Sequence, residues 1–110
     1  MHMIRGILIK PYELPVLCDF EEGLESLQRI VNGPIEMPYL FDDVEVVINE
    51  EGKINGSLPN RFLFYNNELV DILFGNILIV DVSPEGSIIS LNKEKADKYL
   101  QKFQSADIDL

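Results

Sequence analysis

The strongest structural signal lies in residues 44–61, which read V-E-V-V-I-N-E-E-G-K-I-N-G-S-L-P-N-R. The β-branched run at 44–49 is the clearest strand pattern in the chain. The E-E-G-K sequence after it is typical of a turn in which Gly52 takes a positive φ. These features predict a hairpin between residues 44–49 and 53–55.

Downstream, Pro59 predicts the start of a short helix, because the missing proline N–H costs nothing in a first helical turn. An extended run after Pro59 is the alternative. Residues 69–82 hold two apolar stretches separated by Gly75 and Asn76, which permit a bend or a bulge. The second of these stretches, residues 77–82, predicts a buried strand.

Upstream, a helix is predicted at about 20–31. Asp19 and Glu22 have the spacing of a capping box, and apolar residues then repeat at helical intervals. Asn32 and Gly33 tolerate the left-handed conformation that commonly ends a helix. We therefore expect the helix to begin at this capping box and to end at Asn32.

A second helix is predicted at about 92–103, with Asn92 as its N-cap and one apolar stripe along the K-E-K-A-D-K-Y-L-Q-K-F segment. The acidic residues after it, 104–110, predict a frayed tail. Further strands are expected at 3–10 and 14–18. Together these elements predict one α+β domain over residues 1–110, with a mainly antiparallel sheet because the connections are short.

The chain is strongly acidic. It has 19 Asp and Glu against 9 Lys and Arg, a formal net charge of −10. Because affinity for nucleic acid comes largely from cations that release condensed counterions, direct nucleic-acid binding is not expected. The acidity is either a solubility charge or a surface for a basic partner.

Catalytic and metal-binding residue types are scarce. Cys18 is the single cysteine and His2 the single histidine, so the usual nucleophile–base pairs and zinc sites lack members. Cys18 is interpreted as a core residue in a reducing compartment, and His2 carries no functional weight. We expect a cytoplasmic, non-enzymatic protein with no cofactor, no metal and no membrane segment.

The candidate site lies in the turn region. Residues 31–92 contain ten carboxylates and two cations, Lys53 and Arg61. With Asn55 and Asn60, these residues offer ammonium, guanidinium and amide donors for a carboxylate, a phosphate or a partner carbonyl. The alternative is structural, with Arg61 paired to an internal acid such as Asp71 and the asparagines bonded within their own loop.

Four stretches carry a resemblance to a known family: M-I-R-G-I-L-I-K, L-E-S-L-Q-R-I-V-N-G-P-I-E, I-N-E-E-G-K-I-N-G-S-L-P-N-R-F-L and V-D-I-L-F-G-N-I-L-I-V. Across nearly the whole chain, the sequence resembles small bacterial, plasmid and phage domains of unknown function. The most specific part is the N-E-E-G-K-x-N-G-x-x-x-N-R pattern. The resemblance implies an accessory protein of a host or a mobile element, and it implies no catalytic residue or cofactor.

These observations favour a module that binds an unidentified protein partner. One alternative is a binder of a small anionic ligand or nucleotide that uses residues 53–61. Another is an anti-defence or DNA-mimic protein, whose carboxylates imitate phosphates. A homodimer is a further hypothesis, because the edges of the predicted sheet need a cover.

Overall fold

The computed structural model describes residues 2–110, which form two sheets and two helices. In chain order the elements are β1 (Met3–Ile9), β2 (Val16–Glu21), α1 (Leu24–Val31), β3 (Ile35–Glu36), β4 (Glu45–Asn49), β5 (Pro59–Tyr65), β6 (Glu68–Phe74), β7 (Ile77–Val82), β8 (Ile88–Ile89), α2 (Lys93–Lys102) and β9 (Asp107–Asp109). Within the described residues every strand pairing is antiparallel except that of β5 with β9. The predicted α+β class with a mainly antiparallel sheet is confirmed.

The larger sheet has the order β2-β1-β7-β4-β3, with β8 paired to the end of β7. Its two faces bury different clusters because side chains alternate along each strand. In β7, Ile77 and Ile79 lie in one cluster, and Leu78 and Val80 lie in the other. The second cluster is covered by α1 through Leu27, whereas α2 and the smaller sheet close the first.

The smaller sheet has the order β6-β5-β9. A two-residue turn joins β5 to β6, and both turn residues, Asn66 and Asn67, have positive φ angles of 50° and 65°. Such a turn matches the twist of the paired strands. Leu63, Leu73 and Ile108 point from this sheet into the first cluster. The smaller sheet therefore packs one face onto the larger sheet and leaves the other outside.

The predicted helix ends are confirmed at two places. Asn92 is the N-cap of α2, and its Oδ1 accepts from the Lys95 N–H at 2.8 Å. Asn32 ends α1 in the left-handed conformation, with φ of 64°. No helix among residues 2–110 combines the length and the apolar character that a membrane crossing requires.

The predicted start of the first helix is wrong. The helix α1 begins at Leu24, and its N-cap is Gly23, which makes no side-chain capping bond. Asp19 instead lies in β2 and accepts from the Arg5 Nε of β1 at 2.9 Å. The β1–β2 ladder continues to Glu21, so strand pairing takes residues that the capping-box pattern assigned to a helix.

The predicted hairpin of 44–49 with 53–55 is also wrong. β4 is already paired with β3 on one side and β7 on the other, so neither of its edges is free for residues 53–55. Residues 50–56 form consecutive turns. Gly56, rather than Gly52, takes the positive φ, 85°. Gly52 serves close packing, since a Cβ there would lie 3.1 Å from the Phe74 carbonyl oxygen.

The predicted short helix after Pro59 is absent from the described chain, because Pro59 is the first residue of strand β5. A strand start tolerates proline, since the missing N–H removes no central ladder bond. The extended alternative is the correct one.

The segment at 104–110, predicted as a frayed tail, contains strand β9. β9 pairs in parallel with β5, and Ile108 is 1% exposed. The Leu110 N–H also donates to the Phe64 carbonyl at 2.8 Å. Burial of Ile108 and these backbone bonds hold the acidic end of the chain in place.

Candidate functional site

Arg61 lies in the interior, with 4% of its surface exposed. Its Nε and Nη2 donate to the Phe103 carbonyl at 3.1 and 2.7 Å. Its Nη1 donates to the carbonyl and the Oδ1 of Asn60 at 3.0 and 2.7 Å, and Nη2 also reaches the Glu13 carbonyl at 3.1 Å. The guanidinium is therefore surrounded by oxygen acceptors from three parts of the chain.

All of these acceptors are neutral. None of the ion pairs formed by residues 2–110 includes Arg61, so the predicted alternative of a pair with Asp71 is wrong. Phe103 is the C-cap of α2, where the helix dipole places partial negative charge. Burial lowers the pKa of Arg61 from its usual value, but a guanidinium stays charged in proteins. The end of α2 supplies part of the missing counter-charge.

Asn60 is buried beside Arg61. Its Nδ2 donates to the carbonyls of Ile9 and Gly75 at 2.9 and 2.7 Å, so it joins β1 to the connection between β6 and β7. Two successive residues of a regular strand would point to opposite faces. Here the register shifts between Pro59 and Arg61, and this irregularity lets both polar side chains turn inward.

Asn49 is a structural residue that the candidate set did not include. Its Nδ2 donates to the carbonyls of Val31 and Asn32 at 3.0 and 3.1 Å, at the C-terminal end of α1. Its Oδ1 accepts from the Glu51 N–H at 2.7 Å. Both helices thus end on donors from the 49–61 segment, α1 on Asn49 and α2 on Arg61. The sequence signal for Asn49 is its position as the last residue of a buried strand.

Lys53 and Asn55 lie on the surface, away from the buried pair. Lys53 Nζ pairs with Asp71 on β6, and Asn55 Oδ1 accepts from the N–H and Oγ of Ser57 at 3.0 and 2.6 Å. The four candidate residues therefore divide into two pairs. Only Asn60 and Arg61 contact each other, and their donors point to internal carbonyls.

A cleft of about 320 Å³ opens between the two sheets beside Lys53. The turn at 50–56, β4 and β6 form its walls, and its charged lining is Glu36, Glu50, Lys53 and Asp71. Burial alone would raise the pKa of Asp71, but hydrogen bonds from Lys53 and the Ile72 N–H, with the lysine charge, bring it below its usual value. The cleft carries three carboxylates against one paired ammonium.

β6 is an edge strand, with β5 on one side and no strand on the other among residues 2–110. The Phe62 N–H donates to the Ala106 carbonyl on the β9 side at 2.8 Å, so the Phe62–Ile72 pair makes no mutual backbone bonds. Ile72 therefore directs its N–H and C=O toward the open edge. That N–H donates to the Asp71 Oδ1 at 2.8 Å.

The outer face of the smaller sheet is apolar along β5 and β6, whereas β9 adds Asp107 and Asp109 beside the two phenylalanines. The strand register puts Phe62, Phe64, Leu69 and Ile72 on this face, opposite to buried Leu63. The two phenylalanines and Ile72 are half-buried, and Leu69 is 52% exposed. In the described part of the chain, none of these four belongs to either core cluster. We call this surface, together with exposed Val70, the β6 face.

In the comparison with protein families, the model for a domain of unknown function, DUF3846, matches residues 4–104. The chain belongs to the DUF3846 family. The match covers the buried polar residues, the cleft and the β6 face, and it stops before β9. Comparison with curated proteins and with solved structures gave no match.

Other reactive groups in this DUF3846 domain have structural partners. The Tyr99 hydroxyl donates to the Asp43 carboxylate, and burial together with Asp43 raises the pKa of Tyr99 far above its usual value. Burial also raises the pKa of Cys18, which keeps it a thiol. From His2 to Leu110, no group of three His, Cys, Asp or Glu side chains is arranged to hold a metal ion.

Proposed function

We propose that this DUF3846 protein is a non-enzymatic protein-interaction module that binds its partner on the β6 face. It would act in the cytoplasm, as its composition indicates, as an accessory protein of a bacterial host or a mobile element, which the sequence resemblance implies. The observation that carries the proposal is the combination of an open strand edge and an apolar outer face on the same small sheet.

The composition of the β6 face supports partner binding. Phe62 and Phe64 supply large apolar areas of the kind that anchor interfaces, and Leu69 and Val70 are 52% and 53% exposed beside them. Contiguous exposed apolar surface is uncommon on monomers and marks interaction sites. Burying this face against a partner would remove apolar surface from water.

The charges near the face support a protein rather than a small anion as the ligand. Glu36, Glu50 and Asp71 line the adjacent cleft and would repel an anion. Lys53, the cation expected to attract it, is occupied by Asp71. Arg61 and Asn60 direct their donors to internal carbonyls. A partner with basic groups around an apolar contact matches this surface better.

The test compares two double variants, each on an edge strand of a different sheet. Leu69→Ser with Val70→Ser alters β6, and Val16→Ser with Leu17→Ser alters β2, where the exposures are a similar 53% and 45%. Proteins captured from a native-type host by wild type are identified and purified, and their direct binding is measured by calorimetry. We expect only the β6 variant to lose binding, with folding checked by circular dichroism.

Two results would overturn the proposal: no purified protein binds wild type directly, or binding is lost from the β2 variant and kept by the β6 variant.

A further inference from the structure

We infer that β6 accepts an extended segment of the partner as a fourth strand, and that this segment alternates apolar and basic residues. A cation of the segment would replace Lys53 as the partner of Asp71. This inference rests on the proposed function and adds the mode of binding and the chemistry of the ligand. It would extend the sheet by main-chain hydrogen bonds, a common way for a domain to bind a peptide.

The edge of β6 is available for pairing with a further strand. The N–H and C=O of Ile72 point away from β5, because Phe62 opposite uses its N–H for β9. The Ile72 N–H is bonded to a side chain, Asp71 Oδ1, rather than to a strand. A side-chain acceptor is exchangeable, so an incoming carbonyl can take its place without breaking a ladder.

The turn at 50–56 limits which part of the β6 edge is open. The turn at 50–56 approaches the C-terminal end of β6, where Gly52 lies so close that an added Cβ would be 3.1 Å from the Phe74 carbonyl oxygen. Lys53 extends from this turn to Asp71. Residues 68–72 precede this end of the strand, Val70 forms a bulge because the pairing with β5 passes from Asp71 to Leu69, and Leu69 and Val70 are about half exposed. The open edge is therefore long enough for a short added strand that follows the bulge at Val70.

The two faces of β6 determine the sequence pattern of the ligand. Ile72 and Leu69 lie on the apolar outer face, whereas Asp71 shares the opposite face with Leu63 and lines the acidic cleft. Successive side chains of an added strand point to these two faces in turn. Apolar side chains of the ligand would extend the outer face, and basic side chains would reach Asp71 and Glu50.

The charges of the chain disfavour a second copy of it as the segment that pairs with the β6 edge. Each copy carries a net charge of −10, and a β6 strand brings its own Glu68 and Asp71 to the contact. Like charges on adjacent strands are destabilising. Two β6 edges would therefore repel each other, whereas a basic segment is attracted.

The test uses fluorescent hexapeptides with the full-length protein. The probe alternates lysine and valine, and three controls change one feature each: glutamate in place of lysine, the same residues in blocks, and N-methylation of the backbone amides that would face β6. Binding is followed by anisotropy, and the site is mapped by amide chemical shifts in NMR. We expect perturbation centred on residues 68–72.

The N-methylated probe should bind about tenfold or more weakly, since each lost hydrogen bond costs roughly twofold to tenfold in affinity. The block and glutamate peptides should bind weakly as well. Lys53→Ala should tighten binding of the lysine–valine probe, because the internal competitor for Asp71 is gone, and Asp71→Asn should weaken it. Arg5→Ala, which removes the comparable ion pair of β1 and β2, should leave binding unchanged.

Equal binding of the N-methylated and unmodified probes would overturn strand addition. Tighter binding of the glutamate peptide, no binding of the lysine–valine probe, or a dimer of the protein alone through β6 in sedimentation experiments would also overturn the inference. If a purified partner needs Leu69 and Val70 but leaves the exchange rate of the Ile72 amide unchanged, the proposed function holds and the inference fails.

Discussion

The ends and the middle of the 49–61 segment carry similar donor residues in opposite environments. Asn49, Asn60 and Arg61 are buried, and their donors bond to carbonyl groups of elements distant in sequence. Lys53 and Asn55, between them, are exposed and bond to Asp71 and Ser57. A dense group of donors is therefore not by itself a ligand site, because buried carbonyls at the ends of helices and strands also require donors.

The largest effect is expected at Arg61. Arg61→Ala should lower the free energy of unfolding by about 3–5 kcal/mol, because it leaves a cavity and removes donors from the carbonyls of Phe103, Asn60 and Glu13. Urea denaturation, followed by circular dichroism, measures the loss. The fitted m-value should stay constant if the native state is otherwise kept.

Two further variants separate volume from hydrogen bonding at this site. Arg61→Met restores most of the volume without the donors, and Arg61→Lys keeps the charge with a different geometry. We expect Lys to recover more stability than Met. A methionine variant as stable as wild type would show that the carbonyls around Arg61 need no charged donor.

The second-largest effect is expected at buried Asn60, in contrast to the same residue type at exposed Asn55. Asn60→Ala should cost about 2–3 kcal/mol, since the Ile9 and Gly75 carbonyls lose their donor and Arg61 loses an acceptor. Asn55→Ala should change the free energy of unfolding by less than about 0.5 kcal/mol, because Asn55 is exposed and bonds within its own turn. Similar losses of unfolding free energy for the two variants in urea denaturation would contradict the expected difference between buried Asn60 and exposed Asn55.

The third effect concerns the end of α1. Asn49→Ala should cost about 1–2 kcal/mol, because the Val31 and Asn32 carbonyls lose their shared donor. The substitution should also accelerate hydrogen exchange of the α1 amides more than that of the α2 amides. Equal acceleration in both helices would indicate a global loss of stability rather than a loosened helix end.

Local signals predicted those elements whose reasons are local. Asn92 accepts from an N–H three residues later, and Asn32 takes the left-handed conformation that ends α1. The apolar run at 77–82 forms β7 because both of its faces are buried. For the β5–β6 hairpin the local signal is Asn66-Asn67, but a helix start at Pro59 is an equally local interpretation and hides the strand before the turn.

The remaining features depend on residues that meet only in the folded chain. Asn60 and Arg61 both point inward because the register against β6 shifts between Pro59 and Arg61, and no spacing within β5 encodes that shift. Ile108 forms a strand because β5 has a free side for it. The sequence therefore identified the donors of the candidate site but not the carbonyls that they bond.

The smallest effect is expected at the exposed Lys53–Asp71 pair, whose side chains are 61% and 46% exposed. Lys53→Ala should cost about 0.5 kcal/mol or less at pH 7, because water and salt screen such pairs. The pKa of Asp71 is lowered in the folded state, so its contribution is present above the unfolded-state pKa, about 4, and is lost as the pH falls through the lower folded-state value. The difference in the free energy of unfolding between wild type and Lys53→Ala should therefore shrink on going from pH 7 to strongly acidic pH, and also in concentrated salt, when both are measured by urea denaturation.

The loss of stability from Asn60→Ala should persist in salt, since the hydrogen bonds of Asn60 are shielded from water and their acceptors are uncharged. A Lys53→Ala loss as large as that of Asn60→Ala, or one insensitive to salt, would place the exposed turn among the structural determinants of the fold and remove the distinction between the buried ends and the exposed middle of the segment.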